Sequence, residues 1–464
     1  METSEVICAV STAPGIGAIA VLRMSGAGCI ALTDRIFESP SGKKLTGSKA
    51  NTVHFGRILE EGCLLDEVLV TIFHAPHSFT GEESVEIACH GSLYIQQRLL
   101  QLLVNQGARM ATPGEFTQRA FLNGKMDLSQ AEAVADLIAS SSAASHRMAL
   151  KQMKGGFSAE LMKLRGELLH ITSLLELELD FSEEDVEFAD RSELRRIAGN
   201  IDELLTRLCR SFSLGNVIKN GVPVAIVGNT NVGKSTLLNA LLREDRAIVS
   251  DIAGTTRDVI EDTINLNGIT FRFIDTAGIR ATSDEVENIG IERTFAKIGQ
   301  ASVVLLLTDL NRGVESFEEY YHQVKSRLTS DAKLIIVLNK TDQVEDLLTP
   351  QETIRLFTSG EEIIPISART GANLDRLIQE LTRTVNLNTL NTSDVIVSNV
   401  RHYEALRNAR TAIERVNEGL ESGLSGEFIS QDIRECLHYL GEITGEITTD
   451  EVLGNIFKNF CIGK

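Results

Sequence analysis

The chain has 464 residues, 43% hydrophobic and 23% charged, the makeup of a globular protein, and at about 150 residues per domain its length predicts roughly three domains. Forty-five Lys and Arg against 64 Asp and Glu leave a net charge of −19, which excludes an unassisted, sequence-independent nucleic-acid binder. It does not exclude a small anion gripped locally, because salt screens the global field within about 10 Å.

In chain order, residues 1–122 alternate short β-rich runs (Val6 to Val10, Gly17 to Met24, Val68 to Phe73, Val85 to Cys89) with turn residues, and add one helical stretch, Leu93 to Asn105. A small α+β domain is predicted there. Residues 123–220 turn to long helical periodicity, with no proline between Pro113 and Pro223, and predict a helical bundle. Within them Glu176 to Asp190 carries eight acidic residues and no basic one, the pattern of a solvated face. Residues 221–385 alternate fully apolar runs (Val222 to Val227, Thr270 to Ile274, Val303 to Leu307, Leu334 to Leu338, Ile363 to Ile366) with helical patterns, which predicts a doubly wound sheet. Residues 386–464 return to helical periodicity, so the α/β domain is expected to be inserted into the helical one.

Seven cysteines are scattered, odd in number and without a Cys-x-x-Cys pair, so neither a disulfide framework nor a zinc site is expected. No basic leader precedes the first apolar segment, and Val303 to Leu307 is too short to span a bilayer. A cytoplasmic protein without a membrane segment is expected. The last four residues, Cys461-Ile462-Gly463-Lys464, echo a prenylation box only superficially, since Gly is not aliphatic and Lys is not a usual terminal residue there.

The strongest chemical signal is Gly228-Asn229-Thr230-Asn231-Val232-Gly233-Lys234-Ser235, followed by Thr236 and placed between an apolar strand and a helical run. Glycines let the backbone curl so that successive N–H groups and a helix N-terminus face a phosphate, Lys234 adds a point charge, and the Ser235 hydroxyl suits Mg²⁺. Asp275-Thr276-Ala277-Gly278 closes a later strand, where Asp275 can hold the Mg²⁺ shell and Gly278 can offer its N–H to a γ-phosphate. Asn339-Lys340-Thr341-Asp342 ends another strand. An ionised carboxylate only accepts, so Asp342 suits the paired N–H donors of guanine and not adenine. Ser367-Ala368-Arg369 follows the next strand and completes the base pocket. The polar segment Ser250-Asp251-Ile252-Ala253-Gly254-Thr255-Thr256-Arg257-Asp258 is of the kind that orders around γ-phosphate and metal, with Thr256 as the second Mg²⁺ hydroxyl. Ile279 stands after Gly278, where Ras-like proteins carry the Gln that orients water, so hydrolysis needs another water-positioning group and another positive charge.

These motifs, with Asp284-Glu285-Val286-Glu287, Ser78-Phe79-Thr80-Gly81-Glu82, Arg119-Ala120-Phe121-Leu122-Asn123-Gly124-Lys125 and the terminal Cys461-Ile462-Gly463-Lys464, resemble the MnmE (TrmE) family of tRNA modification GTPases along essentially the whole chain. The resemblance implies a homodimer whose N-terminal domains bind 5-formyltetrahydrofolate or a related tetrahydrofolate. A flavoprotein partner, MnmG, completes a heterotetramer that installs an aminomethyl or carboxymethylaminomethyl group at C5 of the wobble uridine of certain tRNAs. It further implies K⁺ held by Asn231, Ser250, Ile252 and Thr255, water oriented by Glu287, and folate held by Arg23, Glu86, Lys125 and Lys464. Read alone, Glu287 is first an exposed acid in a switch helix, and it is the resemblance that makes it the water-orienting group; Cys461 is equally a packed, inert thiol, though the resemblance places it near the one-carbon chemistry. A regulatory or ribosome-assembly GTPase switch would share the nucleotide motifs, though not the N-terminal domain or the Cys-Ile-Gly-Lys end.

Overall fold

The computed structural model describes residues 5–180, 191–244, 262–274, 298–309, 314–329, 332–344, 348–385, 395–458 and 460–463. Two compact units divide the chain: residues 1–139, 149–202 and 405–464 form one, and residues 140–148 and 203–404 the other.

The first unit opens with β1 (Ile7–Val10), β2 (Ile19–Ser25), the short helix α1 (Cys29–Thr33), β3 (Phe37–Glu38), β4 (Thr52–Glu60), β5 (Cys63–Phe73), β6 (Ser84–His90), helix α2 (Leu93–Asn105) and β7 (Arg109–Met110). The strands make one sheet in the order β3-β4-β5-β6-β2-β1-β7, antiparallel except for β1 against β7. One face is dry. Leu22, Met24, Val70, Ile72, Val85 and Ile87 alternate onto it and meet Leu99, Leu102 and Leu103 of α2. The other face presents Ile19, Val53, Phe55 and Leu69 to solvent. β4 was not expected from the sequence. Gly56 interrupts it because a Cβ there would stand 2.3 Å from the Phe37 ring.

Helices α3 (Glu115–Leu122), α4 (Leu128–Ala139), α5 (Ala143–Met153), α6 (Gly156–Asp180) and α7 (Arg191–Asn220) follow. In α6 the buried residues Leu161, Leu164, Leu168, Ile171 and Leu175 recur every three or four positions, and Ile429, Ile433, Cys436, Leu440 and Ile443 do the same in helix Gly426–Thr444, against which α6 packs. Helices Val400–Ser422 and Asp450–Phe457 complete the helical part. At 30 residues α7 is roughly 45 Å long by its rise per residue, and it serves both units. The units therefore divide inside α7 and helix Val400–Ser422, at residues 202 and 404, whereas the sequence pattern changes at 220 and 385.

The second unit holds β8 (Val222–Val227), α8 (Lys234–Glu244), β9 (Asp262–Leu266), β10 (Ile269–Phe273), β11 (Val303–Asp309), helix Val314–Lys325, β12 (Lys333–Asn339), helix Leu348–Phe357, β13 (Glu362–Pro365) and helix Leu374–Thr384. Its sheet runs β13-β12-β11-β8-β10-β9, parallel throughout except for β9. β8, β11 and β12 are apolar runs because helices cover both faces: Leu237, Leu241, Leu377 and Leu381 on one side, Phe317, Tyr321 and Val324 on the other. β9 is a departure from the expected purely apolar pattern. As an antiparallel edge strand it buries only Ile264 and Leu266, so it shows little hydrophobic signal, and the Asn339 tetrad thus follows the fifth strand of this sheet instead of the fourth. Among the described residues no helix is long and apolar enough to cross a membrane.

Candidate functional site

At the carboxyl end of β8 the chain bends through Gly228, where a Cβ would stand 2.3 Å from the Leu307 carbonyl oxygen, and re-enters a helix at Lys234. Asn231 and Gly233 take positive φ angles of 62° and 100°, the left-handed turns that aim consecutive N–H groups inward. Val232 is buried and Ser235 half-buried at the first turn of α8, with Thr236 exposed beside it. The Lys234 ammonium donates to the carbonyls of Gly228 at 2.7 Å and Asn229 at 3.0 Å. Burial holds its pKa below the usual lysine range, since removing water disfavours the charge. An anion in the loop would restore the lost stabilisation.

Asn339, 2% exposed, ties this loop to the opposite end of the pocket. Its Nδ2 donates to the Val232 carbonyl at 2.8 Å and its Oδ1 accepts the Ala368 N–H at 3.0 Å. A Cβ on Gly233 would fall 2.3 Å from that Nδ2, so only glycine permits the approach. Lys340, at φ 66°, donates to Asp309 at 2.6 Å. The buried Ser367 hydroxyl donates to Asp342 Oδ1 at 2.6 Å and accepts the Thr370 N–H at 3.2 Å, which fixes the carboxylate while leaving its second oxygen for a ligand. Arg369 is exposed at the rim. The structure thus gathers Asn231 to Thr236, Asn339 to Asp342 and Ser367 to Arg369 at one sheet end. Ser250 to Thr256, Asp275 to Gly278, Glu287 and Lys464 lie outside the described residues, as do residues 181–190 of the acidic run.

In the first unit, strand register puts Val53, Thr71, Glu86 and Arg23 in one row of the open sheet face, beside a second row of Phe55, Leu69, Ala88 and Val21. Arg23 donates through Nε at 3.0 Å and Nη2 at 2.7 Å to the same Glu86 oxygen. Its guanidinium also lies 5.5 Å from the Phe79 ring centroid and 5.8 Å from that of Phe116, a pair of cation–π contacts. Lys125 is exposed and donates to the Pro76 carbonyl at 3.0 Å, while its methylenes lie beside Gly81. The Ser78–Glu82 loop therefore touches both cations, with Phe79 against Arg23 and Gly81 against Lys125. The tail is docked nearby in the same unit: Gly114 N–H donates to the Cys461 carbonyl at 3.4 Å and Ser11 Oγ to the Gly463 carbonyl at 3.1 Å. Cys461 itself is exposed, whereas Cys8, Cys29, Cys89 and Cys436 are buried. Burial pushes Cys8 and Cys89 up to about 11 and Cys436 to about 12, which leaves them inert thiols.

Sequence reasoning did not assign Phe79, Phe116, Ser11, Gly114 or Asp309. Phe79 lies inside the Ser78–Glu82 motif, which is the signal that points to it; the others act through contacts distant in sequence.

A phosphate loop opening a helix, tied through Asn339 to the segment whose Ser367 fixes the Asp342 carboxylate, defines a P-loop GTPase. Comparison with known proteins narrows this. Residues 6–125 match the family described as GTP-binding protein TrmE N-terminus, and residues 128–461 match the MnmE helical domain. A tRNA modification GTPase MnmE of Parabacteroides distasonis is 59% identical over 461 residues, 99% of each chain. One from Bacteroides fragilis is 59% identical over 465 residues, again 99% of each, and one from Flavobacterium johnsoniae is 53% identical over 467 residues, 100% of each. The chain belongs to the MnmE family of tRNA modification GTPases.

Proposed function

We propose that this protein hydrolyses GTP in the service of modifying the wobble uridine of certain tRNAs, installing an aminomethyl or carboxymethylaminomethyl group at C5 together with a flavoprotein partner, MnmG, in a heterotetramer. The observation that carries the nucleotide half is Asn339, which fixes the distance between the phosphate loop and the base side through Val232 and Ala368. Lys234 and the loop N–H groups grip the phosphates, and Asp342, oriented by Ser367, reads guanine. The donor set fits the metals: Ser235 and Thr256 are hydroxyls suited to Mg²⁺ with Asp275 in its shell, and Asn231 with the carbonyls of Ser250, Ile252 and Thr255 is an all-oxygen set suited to K⁺. When bound, the two cations supply positive charge against the phosphates during transfer. Glu287 orients the attacking water, and Gly278 offers its N–H to the γ-phosphate.

Arg23, Glu86, Lys125 and Lys464 form the proposed site for 5-formyltetrahydrofolate, whose glutamate tail calls for cations and whose pterin edge calls for a carboxylate. Cys461 belongs to that one-carbon chemistry. The exposed apolar row of Phe55 and Leu69 supports a homodimer through the N-terminal sheet, because an apolar face of this kind favours burial against a second copy. With a net charge of −19, most of the tRNA surface is assigned to the partner, and a cytoplasmic location follows from the role.

The test is GTP turnover in KCl and in NaCl at equal ionic strength, with Asn231→Ala alongside. A clear K⁺ preference that Asn231→Ala removes is expected, and equal rates in the two salts would sink the potassium role. Equilibrium dialysis against 5-formyltetrahydrofolate checks the N-terminal site independently. A GTPase that only switches partners has no use for that site, so absence of folate binding at high micromolar ligand would favour the switch.

A further inference from the structure

Residues 140–148 follow α4 in sequence yet belong to the α/β unit, and what they touch there is the β9–β10 hairpin. Asn265 on β9 and Thr270 on β10 are register partners. Both reach Ser141: Asn265 Nδ2 donates to its carbonyl at 3.2 Å, and the Thr270 and Ser141 hydroxyls lie 3.2 Å apart. Asn265 Oδ1 also accepts the Gly268 N–H at 3.0 Å, so one carboxamide binds the hairpin turn and the Ser141 carbonyl together. The turn itself is Asn267-Gly268 with φ angles of 53° and 80°, the left-handed pair that a tight hairpin requires.

The Ser141 end is pinned. Ser142 N–H donates to Ser145 Oγ and Ser145 N–H to Ser142 Oγ, each at 3.1 Å, and both serines are buried. Ser141 therefore cannot shift without the first turn of α5. At the other end of α5, Gln152 donates to the Ser129 carbonyl at 3.1 Å and Gln130 to the Met153 carbonyl at 3.0 Å, which locks α5 to α4. Leu128 and Ala131 of α4 pack in turn with Leu453 and Phe457.

The hairpin end is the more lightly anchored one. Among the described residues β9 pairs only with β10, and β10 is joined to β8 by three residue pairs, Phe271 to Phe273 with Val222 to Val224. In sequence the hairpin lies between residues 250–258 and 275–278, the two segments that respond to the γ-phosphate in GTPases of this kind. Both contacts to Ser141 are solvent-exposed, hence weak enough to be made and broken as the hairpin shifts.

We infer that Asn265, Thr270 and Ser141 form a relay contact through which the α4–α5 helical hairpin senses the nucleotide state of the α/β unit. The relay rests on the GTPase reading, and its test separates the two. Hydrogen exchange by mass spectrometry is run on the full chain with Mg²⁺ and K⁺, saturated with GDP or with a non-hydrolysable GTP analogue. Exchange at residues 141–148 should differ between the two states by on the order of threefold. In Asn265→Ala/Thr270→Val that difference should vanish while GTP turnover stays within about twofold of the parent. A parent chain that binds both nucleotides but exchanges identically at 141–148 overturns the relay alone, as does a double variant that retains the full difference. Failure to bind either nucleotide overturns the GTPase reading and the relay with it.

Discussion

The phosphate loop and the proposed folate site at Arg23 differ in how their cations are held. Around the nucleotide pocket Asn339, Asp342 and Lys234 are held by partners that carry no charge, either backbone groups or a serine hydroxyl. Asn339 is fixed by Val232 and Ala368, Asp342 by Ser367, and Lys234 rests on loop carbonyls that carry no net charge. On the sheet face, Arg23 is instead neutralised by Glu86 at 2.7 Å, so an anion arriving there must exchange one carboxylate for another. On the base side Lys340 is likewise paired, with Asp309, so the contrast lies at Lys234: a phosphate-side lysine held only by carbonyls among the described residues binds an anion by adding interactions, whereas a cation already neutralised binds by replacement, which is intrinsically weaker. The first suits a ligand held through catalysis, and the second one that is loaded and released.

Three substitutions test that contrast, and one measurement tests the fold that carries the Arg23 row. The largest effect is expected for Lys234→Ala, which removes the charge facing the phosphates: GTP turnover, followed by phosphate release, should drop by about 10³-fold. Asp342→Asn should weaken GTP binding by about 100-fold in a fluorescent-nucleotide competition, because the amide now offers donors to guanine's donors, and it should improve binding of xanthosine triphosphate, whose C2 carbonyl accepts. Third comes acid. Burial would raise Glu115, but Arg109, the Thr112 N–H and Arg119 outweigh it and hold the carboxyl at about 2, below its ordinary 4.5. A depressed carboxyl stabilises the fold above the unfolded value and stops doing so as pH falls, so about 2 kcal/mol should be lost between pH 4.5 and 2. With no Trp in the chain, urea melts followed by far-UV circular dichroism are the measurement, and Glu115→Gln should flatten the dependence. The smallest effect is expected at the self-neutralised pair: Arg23→Ala should weaken 5-formyltetrahydrofolate by about tenfold in equilibrium dialysis and leave GTP turnover unchanged. A loss at Arg23 as large as that at Asp342 would abolish the distinction between the two sites.

The phosphate loop was legible because its chemistry is local: eight consecutive residues set the glycines, the ammonium and the hydroxyl at fixed offsets. Long apolar strands such as β8 and β12 were legible for the same reason. What could not be read were relations across sequence distance. Asn339 and Val232 are 107 positions apart, and nothing in either segment announces that they share a hydrogen bond. Arg23 is neighbour to both Phe79 and Phe116 only because the Ser78–Glu82 loop and α3 both come up to β2 in the fold. β4 and β9 escaped for a different reason, since Gly56 breaks the alternation of one and the edge position of the other leaves it only two buried residues.

The distribution of thiols offers a practical opening. With Cys8, Cys29, Cys89 and Cys436 sequestered, a maleimide dye or spin label at neutral pH should couple first to the exposed Cys63 and Cys461, and only later to the half-buried Cys209. Cys63→Ser would then leave a reporter on the docked tail, next to the Ser11 and Gly114 anchors. Its emission or line shape could register tail release in real time.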